Sequence, residues 1–243
     1  YIENGGGYYD ITPLRKAAAT LTNPFTTVSG SATVTVTDAT GGYIVGDFVT
    51  FSNASAVGGL TIDGEFQVVD LSSATSYTIT ASSNATSAAT GGGTVTAEYQ
   101  INVGPAFAIP LVGWGASSWG SGTWGIGAES VEEVRQWSQA NFGEDLIFGP
   151  RGGTLFYWDA SATNSLSVRG VALSSVVGAS NVPTIQNLTL VSDISRFVFC
   201  FGCNELGSST LNTMLIRWSD QEDATNWTPS ATNQAGDLIL SNG

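Results

Sequence analysis

The stretch Ala32-Thr33-Val34-Thr35-Val36-Thr37 decides the fold class. Ala32, Val34 and Val36 alternate with three threonines, so one side of an extended segment is apolar and the other carries hydroxyls, the period of two that marks a half-buried strand. Comparable runs follow at Phe48-Val-Thr-Phe51, Glu65-Phe-Gln-Val-Val69, Tyr77-Thr-Ile-Thr80 and Thr94-Val-Thr-Ala-Glu-Tyr-Gln-Ile101. Between them stand Gly41-Gly42, Gly58-Gly59 and Gly91-Gly92-Gly93, where tight turns require positive φ. Five or six such strands predict a small β-sandwich or barrel over residues 25–103.

The rest of the chain fits an all-β reading. Its 243 residues are 42% hydrophobic, enough for one large or two modest cores. Only 11% are charged, against roughly a quarter in an ordinary globular domain. Gly, Ser, Thr and Ala fill the difference, a bias that suits strands and turns rather than surface helices. No run approaches the roughly 18 apolar residues of a membrane-spanning helix, and no signal peptide opens the chain. The sequence starts at Tyr1 rather than Met and stops in the strand-like run Leu238-Ile-Leu-Ser241, which reads as a piece of a longer polypeptide.

Seven basic residues face twenty acidic ones. Between Lys16 and Arg135 there is no Lys or Arg, and Arg135, Arg151, Arg169, Arg196 and Arg217 are widely spaced. A phosphate-gripping surface needs several clustered cations, so a nucleic-acid clamp is excluded. The acidity either keeps the protein soluble or lines a conduit past which a duplex slides without being held.

The flanks, residues 1–24 and 104–243, are richer in Trp, Tyr and Arg. Gly5-Gly-Gly-Tyr-Tyr-Asp10 resembles Gly152-Gly-Thr-Leu-Phe-Tyr-Trp-Asp159, and Arg135-Gln-Trp137-Ser-Gln-Ala-Asn-Phe142 resembles Arg217-Trp218-Ser-Asp-Gln-Glu-Asp-Ala-Thr-Asn-Trp227. Loose repeats of this size are expected of propeller blades, four-stranded units of about 40–50 residues. The expected architecture is therefore a partial β-propeller-like domain with the 25–103 domain inserted in one of its loops, where insertions are tolerated. Glu129 to Phe142 is ambiguous. Val131, Val134 and Trp137 have the spacing of a short helix, whereas the likeness to the Arg217 segment favours strand in its second half.

Three Trp-Gly pairs, at Trp114, Trp119 and Trp124, are five residues apart, which matches neither a helix stripe nor one side of a strand. An irregular loop is expected, its indoles serving as candidate subunit-interface anchors, as packing inside the chain or as sugar-stacking platforms. Gly120-Ser-Gly122-Thr-Trp-Gly125 satisfies the dinucleotide fingerprint in letters only, since no strand–turn–helix unit surrounds it.

The chain has no histidine and only two cysteines, Cys200 and Cys203. A Ser-His-Asp triad, a Cys-His dyad and a His-ligated metal are thereby excluded, and a four-ligand zinc site lacks its ligands, so no cofactor or metal is expected. The Cys-Phe-Gly-Cys spacing would suit a redox pair only at a helix N-terminus, and it sits instead in an apolar run that reads as buried or turn-flanking thiols. Carboxylate-only glycoside hydrolysis has two nominees, Glu144-Asp145 and the cluster Asp220, Glu222 and Asp223. The latter segment resembles the Asp-box hairpin of sialidase-like propellers but lacks its glycine, and a polar turn capped by its own Asp side chains explains it as well.

Longer stretches carry a family resemblance. Arg135 to Ile147 followed by Pro150-Arg-Gly-Gly-Thr-Leu-Phe-Tyr-Trp-Asp159, the run Ile216 to Asp237 and the Trp-Gly tract are similar to tail proteins of short-tailed bacteriophages. Val45-Gly-Asp-Phe-Val-Thr-Phe51 and Gly58-Gly-Leu-Thr-Ile-Asp-Gly-Glu-Phe66 resemble a small β domain carried by many phage virion proteins. The resemblance implies a non-enzymatic nozzle or hub subunit in the virion, assembled in the host cytoplasm. It also implies a ring with other copies of itself below a connector or adaptor ring, with fibres or spikes as outward neighbours and genomic DNA passing without sequence-specific binding. A carbohydrate-binding adhesin or glycosidase-like propeller is the alternative.

Overall fold

The computed structural model describes residues 1–104, 135–163 and 165–240. The strands are β1 (Ile2–Asn4), β2 (Gly7–Tyr9), β3 (Ala19–Thr22), β4 (Phe25–Thr27), β5 (Thr33–Thr37), β6 (Phe48–Ser52), β7 (Gly64–Gln67), β8 (Asp70–Ser73), β9 (Ser76–Thr80), β10 (Ala89–Gly91) and β11 (Thr94–Gln100). Then come β12 (Trp137–Phe142), β13 (Asp145–Pro150), β14 (Phe156–Trp158), β15 (Val171–Ala172), β16 (Gln186–Val191), β17 (Val198–Asn204), β18 (Leu211–Trp218) and β19 (Gly236–Ile239). Among the described residues the only helical pieces are single 3-10 turns at Ser165–Ser167 and Leu173–Ser175. The protein is all-β, and every ladder between its strands is antiparallel.

The chain forms two compact units. The first, Thr12–Asn102, is a sandwich of a five-stranded sheet, β10-β4-β5-β9-β8, and a four-stranded sheet, β3-β11-β6-β7. The alternation read from Ala32 onward holds: Val34 and Val36 are fully buried while Thr33 and Thr37 are exposed. Register carries that pattern across the sheet. Phe25, Val36 and Tyr77 are successive cross-strand partners in the core, whereas Thr90, Thr26, Thr35, Thr78 and Asp70 form a polar row on the outside. Val49, Phe51, Val95, Ala97 and Tyr99 close the core from the other sheet, and Phe25 meets Phe51 edge-on at 5.0 Å. At Gly58, with φ +57°, a Cβ would lie 2.2 Å from Thr27 Oγ1, so only glycine fits this turn.

The unit starts at Thr12, before the boundary expected at residue 25, because Ala19–Thr22 pairs with β11 and supplies an edge of the smaller sheet. Its ends lie side by side: Leu14 bridges Gln100, and Ile101 N–H donates to Pro13 O.

The second unit comprises Ile2–Ile11 and residues from Val103 onward. It holds the β1–β2 hairpin and two consecutive four-stranded meanders, β12-β13-β14-β15 and β16-β17-β18-β19, the kind of sheet from which propeller blades are made. Ile147 and Leu155 on the first side meet Val198, Cys200, Leu215 and Trp227 on the second in one core. Gln186 joins the two sheets, its Nε2 donating to Pro150 O at 3.0 Å and its backbone exchanging hydrogen bonds with Gly152 and Gly153. The second half of the ambiguous 129–142 segment is strand β12; its first half lies outside the described residues. The Arg135 and Arg217 segments are not equivalent in position: the former opens the first strand of its sheet and the latter ends the third strand of the next.

Candidate interaction surface

The sheet β16–β19 buries one face and carries uncharged, largely apolar rows on the other. Its inner face carries Thr189, Val198, Cys200, Leu215 and Arg217, all buried. Its outer face is set by register: Leu188, Phe201, Ile216 and Leu238 form one cross-strand row, and Leu190, Phe199, Trp218 and Gly236 the next. None of these side chains is charged. Leu188, Leu190 and Leu238 are 49%, 38% and 53% exposed, and Phe199, Phe201, Ile216 and Trp218 are half-buried.

Phe197, just ahead of β17, and alternate residues of that strand set the rings in a ladder, with centroids 6.1 Å apart for Phe197–Phe199 and 6.3 Å for Phe199–Phe201; Phe199 also lies 6.3 Å from Trp218. Trp218 lies over Gly236, where a Cβ would come within 2.4 Å of the indole, and its Nε1 donates to Gln234 O at 2.7 Å. The Trp218 hydrogen bond and ring-to-ring packing hold these aromatics in place, so presenting them to a partner costs little side-chain entropy.

The inner face of the same sheet explains the cysteines. Cys200 faces the core by alternation with Val198, and a bulge between Phe201 and Cys203, with Gly202 at φ +58°, turns Cys203 the same way; both thiols are free and buried on a strand. Burial pushes the Cys200 thiol up strongly and that of Cys203 up to about 11. Neither has the depressed pKa of a redox nucleophile. Between them and the loops lies Arg217, 3% exposed, whose guanidinium donates to the carbonyls of Asn181, Asn204 and Trp227 at 2.7, 3.2 and 3.4 Å. Burial lowers the guanidinium pKa.

The carboxylate nominees serve turns. Asp220 Oδ1 accepts from the amides of Gln221 and Gln234, and Asp223 Oδ1 from the amide and hydroxyl of Thr225. Exposed Glu222, between them at φ +58°, adopts the left-handed backbone for which glycine is the usual choice. Asp145 takes the Tyr157 hydroxyl at 2.5 Å and the Ala160 amide at 2.9 Å, while Glu144 is exposed. Trp114, Trp119 and Trp124 lie outside the described residues.

Among the described residues, several basic side chains are committed within the fold. Arg217 is on its carbonyls, Arg15 pairs with Asp47 at 2.7 Å, Lys16 with Asp38 at 2.7 Å and Arg169 with Asp10 at 3.1 Å. The outer face of β16–β19 was not foreseen from sequence. Its only legible sign was the Phe197-Val-Phe-Cys-Phe201 alternation, which marks two faces without saying which of them stays uncovered.

Neither a protein-family model nor a curated protein matches the sequence. Among solved structures the chain is similar to the phage phi92 endosialidase, at a TM-score of 0.31 and 16% identity over 94% of this chain and 32% of that one. The chain thus spans about a third of that protein's length, and a TM-score of this size carries no assignment of fold or activity.

Proposed function

We propose that this chain is a structural protein of a bacteriophage tail, packed against other copies of itself in a nozzle or hub ring below the head-to-tail connector, where the ring retains and then conducts genomic DNA. The single observation that carries the assembly role is the uncharged aromatic and aliphatic outer face of β16–β19. Seven apolar side chains across four strands form a contiguous patch of the kind that soluble monomers rarely leave in water. The tail assignment rests on the sequence resemblance. The commitment of basic side chains to internal pairs fits a wall that does not grip phosphate.

Electron microscopy of the virion that contains this chain tests the reading. The expected result is a ring of copies around the tail axis beneath the connector; density for the chain only in peripheral fibres removes the nozzle role. One observation favours a second reading, a carbohydrate-binding adhesin: the Phe197, Phe199, Phe201 and Trp218 ladder is also a stacking platform. Glycan-array binding lost in Phe199→Ala and Phe201→Ala would select it.

A further inference from the structure

The first unit contains two basic residues, Arg15 and Lys16, adjacent in sequence and just inside the point where the chain enters the sandwich. Each reaches a carboxylate that the fold has buried. Arg15 grips Asp47 bidentately, Nε to Oδ2 at 2.8 Å and Nη2 to Oδ1 at 2.7 Å, while Asp47 Oδ2 also accepts the Ile44 amide at 3.1 Å. Lys16 Nζ donates to Asp38 Oδ2, Thr40 Oγ1 and Gly41 O at 2.7, 2.6 and 2.6 Å, which uses all three of its protons. The ammonium sits 4.2 Å from the Tyr99 ring centroid and 5.2 Å from that of Tyr43, within cation–π range. Tyr99 OH donates to Asp38 Oδ2, and Tyr77 and Tyr99 share a further hydrogen bond at 2.8 Å. The carboxylates are 1% and 0% exposed, so neither has water as an alternative partner.

The backbone around these pairs is the seam through which the unit is joined to the rest of the chain. Arg15 N–H donates to Tyr99 O, Leu14 bridges Gln100, and Ile101 N–H donates to Pro13 O. Both ends leave the sandwich together, so tension between the flanking segments opens this ladder one bond at a time, starting from Pro13 and Ile101. Such a seam on its own frays readily. Here, opening it past Leu14 pulls Arg15 and Lys16 off two buried carboxylates and leaves both without a cation, a costly way to break a buried pair.

We propose that Pro13–Lys16 is a strap that locks the first unit shut. The two ion pairs arrest fraying at residue 15, so the ends of the unit separate only when the whole sandwich opens. The strap makes Thr12–Asn102 a closed module, insulated from strain in the polypeptide on either side. In a protein that transmits load between neighbours, such a module can be carried without becoming the weak point.

Native-state hydrogen exchange on the full chain tests this. The strap amides are Arg15 and Ile101, and the Ala81 amide, bonded to Ala32 O, reports the sandwich. In the unsubstituted protein the strap amides should exchange within about tenfold of Ala81, through the same global opening. In the double variant Arg15→Met, Lys16→Met they should exchange about 100-fold faster or more, with a smaller change at Ala81. Should that variant unfold the sandwich, the unsubstituted protein and the milder Arg15→Gln decide the matter. Strap amides that exchange about a thousandfold faster than Ala81 in the unsubstituted protein, or that are unmoved by Arg15→Gln, overturn the proposal.

Discussion

Replacing Asp38 with asparagine removes one buried negative charge while leaving shape and volume almost unchanged, and the structure fixes what that should cost. Asp38 accepts four hydrogen bonds: Oδ2 takes Lys16 Nζ at 2.7 Å and Tyr99 OH at 2.8 Å, and Oδ1 takes Thr40 N at 2.8 Å and Thr40 Oγ1 at 2.5 Å. An amide oxygen can keep one of these pairs, but its NH2 then faces the donors of the other. Two charge-assisted bonds are lost at about 1.5–3 kcal/mol each. Lys16 is 18% exposed and can recover some hydration, which brings the expected loss to about 3 kcal/mol. That is a large share of the roughly 5–15 kcal/mol that holds a domain together.

All seven tryptophans lie outside residues 12–102, so tryptophan fluorescence does not follow the first unit, whereas the amide NMR resonance of Ala81, bonded to Ala32 O, does. In urea, Asp38→Asn should lower the midpoint of the Ala81 amide transition and leave the fluorescence transition in place. The pH dependence has a definite sign. Burial alone would raise the Asp38 pKa, but the hydrogen bonds from Lys16, Thr40 and Tyr99 together outweigh it and hold the value below the ordinary 3.8. The carboxylate's contribution is therefore complete above pH 3.8 and is lost as pH falls from there through the folded value, and Asp38→Asn should lack that acid component. A loss under about 1 kcal/mol, or an equal shift in both transitions, would refute the reasoning.

Two further outcomes follow for the second unit. Arg217→Met fits the same space but leaves the carbonyls of Asn181, Asn204 and Trp227 without their donor; relief of the buried charge offsets part of this, and a destabilisation of about 2–4 kcal/mol in the tryptophan-fluorescence transition is expected, with no loss or a gain counting against it. Cys200 and Cys203 should resist a disulfide-exchange reagent at pH 8 in the folded protein and react fully in denaturant, since burial keeps both thiols protonated; rapid labelling of the native state would show that the bulge opens.

The strands legible from the sequence were those with enough alternating apolar residues to declare a face, such as Thr33–Thr37 and Thr94–Gln100. Those that escaped, Phe25–Thr27, Asp70–Ser73 and Ala89–Gly91, are short, and Asp70–Ser73 is wholly exposed; pairing with a neighbour, not a pattern of their own, makes them strands. Likewise Arg15 and Lys16 were visible only as isolated charges. Asp47 and Asp38 lie 32 and 22 residues away along the chain, and no local rule connects them.

By itself, the sequence determined that this is a β protein with hydroxyl-rich outer faces and without histidine chemistry, because side-chain alternation and residue inventory are properties of the chain read one residue at a time. Only the tertiary structure decided which apolar residues remain uncovered and which charges are buried in pairs. Phe197-Val198-Phe199-Cys200-Phe201 reads the same whichever side faces the core, and it is the stacking of β12–β15 against the Val198 and Cys200 side that leaves the phenylalanines to water. Burial depends on what lies across from a residue, and that is set by contacts between segments far apart in the chain.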